Sequence, residues 1–140
     1  MNRFVVITGL PASGKSAIGR SIAKALALPI LDKDDFLEAL LRRSELPDAS
    51  RRRELSRLAD EGFRARALTQ PEAVLISWWR HPRSVNESGT PSNWLSLLPG
   101  SVVEVHCSCS PIVAAERFVA RTRHPGHLDA ERLIQQKPVL

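Results

Sequence analysis

Apolar runs and polar punctuation alternate along this chain with two different periods. Residues 3–8, RFVVIT, form a nearly unbroken apolar run that stops at Gly9. A run this short, closed by glycine, predicts a strand buried on both faces. Residues 9–16, GLPASGKS, are polar and glycine-rich. Over 16–28, Ile18, Ile22, Ala25 and Leu26 recur at helical spacing, and Pro29 ends the helix they predict. Residues 29–31 read as a short second strand. The polar turn Asp32-Lys33-Asp34-Asp35 leads into a helix carrying Phe36, Leu37, Leu40 and Leu41, broken at Pro47-Asp48. Another helix is predicted over 50–69, with Leu55, Leu58, Ala59, Phe63 and Ala67 on one side. Residues 73–78, AVLISW, predict a third strand, and 101–107, SVVEVHC, a fourth. Between them, 81–93 is rich in Pro, Ser, Gly and Asn and forms the longest irregular stretch. Ser110-Pro111 caps and opens a helix over 112–121. Residues 122–127 read as a loop and 129–136 as a last helix.

Strands alternating with helices predict an α/β fold, a parallel sheet with helices on both faces. No repeat or linker divides the chain, so residues 1–140 read as one domain. Val139-Leu140 resembles the opening of a fifth strand. The sheet is therefore expected to lack or truncate that strand at the C-terminus.

Composition narrows the partners. The chain has 140 residues, 43% hydrophobic and 25% charged, which is ordinary for a globular protein. No stretch approaches the roughly 20 apolar residues of a membrane helix, and the run at 4–7 is too short for a secretory signal. A cytoplasmic protein without membrane contact is the expectation; nothing in the sequence sets an oligomeric state. Cys107 and Cys109 are too few and too close for a disulfide framework or a metal site and read as buried or half-buried thiols. Net charge is +5, from 16 arginines and 4 lysines against 15 acidic residues. That balance favours anionic partners: nucleotides, phosphate esters or nucleic acid. With 4 Phe, 3 Trp and no Tyr, the chain is poorly supplied for stacking single strands.

Gly9, Leu10, Pro11, Ala12, Ser13, Gly14, Lys15 and Ser16 fit G-x-x-x-x-G-K-[ST] at every specified position. A predicted strand precedes the motif, and the predicted helix over 16–28, with Ala17 in its first turn, follows it. Glycines let the backbone wrap a polyphosphate with successive N–H groups pointing inward. The helix N-terminus adds its positive dipole end. Lys15 reaches the β- and γ-phosphates, and the Ser16 hydroxyl can ligate Mg²⁺. Residues 9–17 are therefore expected to bind nucleotide, with ATP and GTP not distinguished.

GLPASGKS, followed one strand later by LDKDDF, resembles the P-loop kinases that phosphorylate small molecules or nucleic acid ends. That group includes gluconate kinase, chloramphenicol phosphotransferase, the zeta toxins and the polynucleotide 5′-kinases. Residues 116–123, ERFVARTR, are similar to their lid, here about 117–128. The resemblance covers most of residues 3–135. It implies a three-layer P-loop NTPase fold, ATP and Mg²⁺, and transfer of the γ-phosphate to a hydroxyl of a small molecule. By the same resemblance Asp34 is the candidate base for the acceptor hydroxyl, and Asp32 joins Ser16 at the metal. Lys15 and Arg121 would stabilise the transferring phosphoryl. Arg117 and Arg121 would contact the nucleotide, with Arg123 as further support. The plainer alternatives are that Asp34 or Asp35 caps the following helix, and that the arginines form a solvated helix end.

Other residues near the expected site leave alternatives open. Many such kinases carry Asp at the end of the third strand, where this chain has Ser77, a weaker and neutral ligand. One of Trp78 and Trp79, with Arg80 and His81, could hold an acceptor, or one Trp could pack under a helix and the other cover the irregular loop. His124 and His127 read as a polar loop or a substrate contact; as a pair they are too few for zinc. Arg51-Arg52-Arg53 reads as a solvated face. Two rival functions stand beside the small-molecule kinase: a polynucleotide 5′-hydroxyl kinase, and a nucleotide-binding switch or weak ATPase that passes no phosphate on.

Overall fold

The structure, a computed structural model, describes residues 2–10, 12–43, 45–80, 89–120 and 125–127. Along the chain it runs β1 (Arg3–Gly9), α1 (Lys15–Leu26), β2 (Ile30–Asp32), α2 (Lys33–Leu41), α3 (Ala49–Thr69), β3 (Ala73–Ile76), β4 (Ser101–Cys107) and α4 (Pro111–Ala120). Short 3₁₀ turns occupy Asn93–Leu97 and Pro125–His127. The strands pair in the order β2-β3-β1-β4, and every pairing is parallel. The expected helix over 129–136 and the expected fifth strand fall outside the described residues.

Strand alternation sorts the apolar side chains into two cores. Val5, Ile7, Val74 and Ile76 pack with Ala23 and Leu28 against α1. Phe4, Val6, Ala73 and Leu75 pack with Phe63, Ala67, Trp94 and Leu98 on the α3 side. Successive side chains on a strand point to opposite faces, so one run of apolar residues supplies both layers. This is the expected sheet covered on both sides. A third cluster, Leu37, Leu41, Leu55 and Ala59, joins α2 to α3.

Two helix faces differ from the pattern expected. In α1 the buried residues are Gly19 and Ala23, while Ile18 and Leu26 are exposed. The helix lies so close to the sheet that a Cβ at Gly19 would run into the Ile76 side chain. Close approach, and not side-chain hydrophobicity, chose the buried face. The helix also stops at Leu26, two residues early, because Ala27 takes a left-handed conformation (φ 54°) and the Leu28 N–H returns to the Ala23 carbonyl at 2.9 Å. In α3, Leu58 is 44% exposed although Leu55, Ala59, Phe63 and Ala67 are buried as expected. Asp48 caps that helix, its carboxylate accepting from the Arg51 N–H at 2.7 Å.

All four strands being parallel, their carboxyl ends meet at one edge. Gly9 stands opposite Cys107, while Asp32 and Ile7 each stand opposite Ile76. Ligands of open α/β sheets bind at this edge. No described helix is long and apolar enough to cross a membrane.

Candidate functional site

The turn from β1 into α1 depends on its glycines. Gly9 has φ 140°, and a Cβ there would lie 2.7 Å from both the Cys107 carbonyl oxygen and Ser13 Oγ. Gly14, at the helix N-cap, has φ 99°, and Ala12 is also left-handed at φ 61°. Such a succession turns backbone N–H groups to one side and makes an anion-binding concavity. Ser13 is buried, and among the described residues its hydroxyl has no hydrogen-bond partner. A buried donor without a protein acceptor fits an oxygen-rich anion at this loop. The Lys15 ammonium donates to the Gly9 carbonyl at 2.8 Å and to the Leu10 carbonyl at 3.0 Å, so it arches over the start of the loop. Pro11 lies outside the described residues; Ala17 is exposed on the first turn of α1.

The loop is tied to the carboxylate turn by one bond: Ser16 Oγ donates to Asp32 Oδ2 at 2.8 Å. Asp32 also accepts the Asp34 N–H at 3.0 Å and is the N-cap of α2. The capping carboxylate is thus Asp32, not Asp34 or Asp35. No polar turn separates β2 from α2: the helix starts at Lys33, directly after the strand, which puts the cap at Asp32. Asp34 and Asp35 both sit in the first turn of the helix, Asp34 half-buried and Asp35 exposed. Burial, reinforced by the Asp34 charge, pushes the Asp32 carboxyl up to about 6. A carboxylate held at such a cost beside a serine hydroxyl is a fitting partner for a hard cation.

Behind this turn runs a buried polar chain. Lys33 Nζ donates to Ser56 Oγ at 2.8 Å and pairs with Asp60 Oδ1 at 3.0 Å. Burial lowers the pKa of the Lys33 ammonium from its usual value, against the pull of Asp60. Thr90 Oγ1 donates to Asp60 at 2.7 Å and also meets Ser77 Oγ. Ser77, at the end of β3, is therefore a buried link in this chain. Thr90 is pinned as well by its backbone, its N–H on the Trp78 carbonyl and its carbonyl accepting from the Arg80 N–H. Trp79 is a core residue: its indole N–H donates to the Ile7 carbonyl at 3.0 Å, and its ring lies 5.7 Å from Phe63 and 5.8 Å from Trp94.

Beside Asp60 opens a cleft of about 200 Å³. Arg57, Asp60, Glu61 and Arg64 line it from α3, Arg80 from the β3 end and Trp94 from the facing 3₁₀ turn. The sequence reading passed over the α3 contribution. The signal was present in the spacing, since positions 57, 60, 61 and 64 recur at three, four and seven and share one helix face.

The expected lid is represented only in part. Arg121, Arg123 and His124 lie outside the described residues, and Arg117 is exposed on α4. His127 is buried, with Nε2 3.0 Å from Glu38 Oε1 of α2. Its burial corrects the reading of a polar loop or a substrate contact. Ser110 Oγ accepts the Val113 N–H at 3.1 Å and caps α4 as expected. Cys107 is buried and Cys109 half-buried, both as free thiols. Among the described residues no group of three or more His, Cys, Asp or Glu could hold a metal ion by itself.

No family model matches the chain. Among curated proteins, the shikimate kinase of Mycobacterium avium is 44% identical over 72 residues, and that of Mycobacterium ulcerans 43% over the same length. The first match spans 50% of this chain and 40% of the relative, so the shared region is under half of the curated protein. Among solved structures, a candidate kinase from Chloroflexus aurantiacus superposes with a TM-score of 0.77 at 26% identity, covering 99% of this chain and 82% of that one. A gluconokinase from Sinorhizobium meliloti shares the fold at a TM-score of 0.51 and 20% identity, covering 96% and 74%. The chain is thus similar to shikimate kinases over half of its length, and its glycine loop and parallel sheet share the fold of these solved kinases.

Proposed function

We propose that this chain transfers the γ-phosphate of ATP to a hydroxyl of a small, negatively charged molecule. The observation that carries the reading is the Ser16–Asp32 hydrogen bond, which joins the phosphate loop to the turn bearing Asp34. Ser16 and Asp32 would hold Mg²⁺, which when bound neutralises charge between the β- and γ-phosphates. The loop N–H groups and Ser13 hydroxyl hold the phosphates in line. Lys15 exchanges its two carbonyl acceptors for phosphate oxygens. Asp34 takes the proton of the acceptor hydroxyl as its oxygen bonds to phosphorus and the bond to the ADP oxygen breaks. Arg121 would stabilise the transferring phosphoryl, with Arg117 beside the nucleotide and Arg123 in support.

The cleft supports this acceptor class. Arg57 and Arg64 line it beside Asp60 and Glu61 on α3, and Arg80 lines it from the β3 end. Guanidinium forks recognise carboxylates and phosphates, while acidic residues accept from hydroxyls. A hydroxylated carboxylic acid suits both, and the partial likeness to shikimate kinases supports that class. The test is a screen of phosphate transfer from labelled Mg·ATP to shikimate, gluconate, neutral sugars and a 5′-hydroxyl oligonucleotide. Transfer to an acid, abolished in Asp34→Ala with ATP binding intact, is the expected result. Transfer only to the oligonucleotide, with affinity falling steeply with salt, would overturn the acceptor class. Hydrolysis of ATP with transfer to none of them would make the chain a switch or weak ATPase.

A further inference from the structure

Asp60 stands where two parts of the site meet. It lines the arginine cleft, and it also holds Lys33, the residue between Asp32 and Asp34. We infer that Asp60 is a positioning residue that couples the acceptor cleft to the carboxylate turn through Lys33. This rests on the kinase reading above for its meaning, though not for its measurement.

Hydrogen counting gives the chain a direction. Thr90 has a single hydroxyl hydrogen, and it goes to Asp60 at 2.7 Å. Toward Ser77, Thr90 must then accept, so Ser77 donates to Thr90 and Thr90 to Asp60. Lys33 donates to Asp60 from the other side and to Ser56. One carboxylate oxygen thus receives both the sheet end and the helix turn. The side chains of Lys33 and Asp60 are only 12% and 15% exposed, so little water can substitute for either partner. Lys33 opens α2 directly after its cap, so the anchor point of its ammonium on α3 sets the angle at which that first turn meets the phosphate loop. An acid engaging Arg57, Arg64 or Arg80 would press on Asp60 from the cleft side and be sensed at Asp34.

The test uses the full chain in two arms. In the first, Asp60→Asn and Lys33→Met are compared with wild type for binding of a fluorescent ATP analogue with Mg²⁺ and for phosphate transfer to whichever probe acid accepts it. Nucleotide affinity is expected within about twofold of wild type, and kcat to fall at least tenfold. The double variant should fall no further than the worse single one, because both break one link. Singles within twofold of wild-type kcat, or losses that multiply in the double variant, would overturn the coupling. In the second arm, Thr90→Val is read by the backbone amide resonance of Asp34, with Arg53→Ala as a surface control. Thr90→Val should shift that resonance, and should no longer do so in a Lys33→Met background. An unmoved resonance, or an equal shift in both backgrounds, would overturn it. Thr90→Val keeps the ion pair, so it serves even if Asp60→Asn does not fold. A wild type that phosphorylates no probe defeats the kinase reading alone, since the amide arm still decides the coupling.

Discussion

The phosphate loop and the arginine cleft share one edge of the sheet but are built from different materials. The loop recognises its ligand through backbone, bent by Gly9 and Gly14 into a conformation that few residues can adopt. Eight consecutive residues carry it, and its side-chain requirements are Lys15 and Ser16. The cleft is made of side chains from α3, the β3 end and a 3₁₀ turn, brought together from positions 57 to 94. Between them the turn Asp32–Asp35 answers to both, through Ser16 on one side and Lys33 on the other. A backbone site is tolerant of its surroundings and intolerant of change within itself. A side-chain site is the reverse: each arginine can be replaced, but the packing that aims it cannot.

That contrast makes the sharpest prediction one about the loop. Gly9→Ala places a Cβ against the Cys107 carbonyl and Ser13. It should weaken Mg·ATP binding by tenfold or more and lower stability by about 1–3 kcal/mol, measured by titration and denaturant melts. Lys15→Ala should lower transfer by about 10³-fold, because no other side chain in the loop supplies positive charge there. Next in size, Asp34→Ala should lower transfer by about 10²–10⁴-fold with ATP affinity within about twofold. Equal loss of both would make Asp34 a structural residue. On the cleft side, Arg64→Ala should raise the acceptor KM by about 10–100-fold and leave the ATP KM unchanged, the loss of one charge-assisted pair. If the ATP KM rose with it, the two regions would not be separable as drawn.

The smallest effect lies where the regions join. Asp32 titrates near 6 in the folded chain against 3.8 when unfolded. The folded state therefore binds more protons between these values, and stability falls as pH rises through 6. At pH 7 and above, in the absence of Mg²⁺, the ionised carboxylate should cost on the order of 3 kcal/mol. Asp32→Asn removes that charge, and Ser16 can rotate to accept from the new amide. The variant should melt several degrees higher than wild type at pH 7.5 and show no gain at pH 4. It should also lose the tightening of nucleotide by Mg²⁺. A melting gain of equal size at both pH values would show that packing, not ionisation, is responsible.

The sheet strands were legible because their apolar runs are short, β-branched and closed by glycine or polar turns. Residues 101–107 were placed without error, and the others within one or two residues. Helix existence was legible too, but the buried face of α1 was not, since Ile18 and Leu26 outweigh Gly19 on any hydrophobicity count. Only the distance between helix and sheet gives Gly19 its role. At the site, the glycine loop and the acidic turn could be read along the chain. The identity of the capping carboxylate, the burial of Ser77 and His127, and the aromatic packing of Trp79 could not.

By itself, the order of residues determined a nucleotide-type loop, a strand–helix alternation and therefore a parallel sheet with its ligand edge at the strand ends. Each of those depends on residues within about ten positions of one another, where spacing alone dictates backbone geometry. Only the tertiary structure decided that Lys33 pairs with Asp60, that Thr90 bridges to Ser77, and that three arginines share one cleft. The hydrogen-bonded pairs among them are 13 to 30 positions apart, and packing of α2 and α3 on the sheet, which no local pattern encodes, brings them within reach.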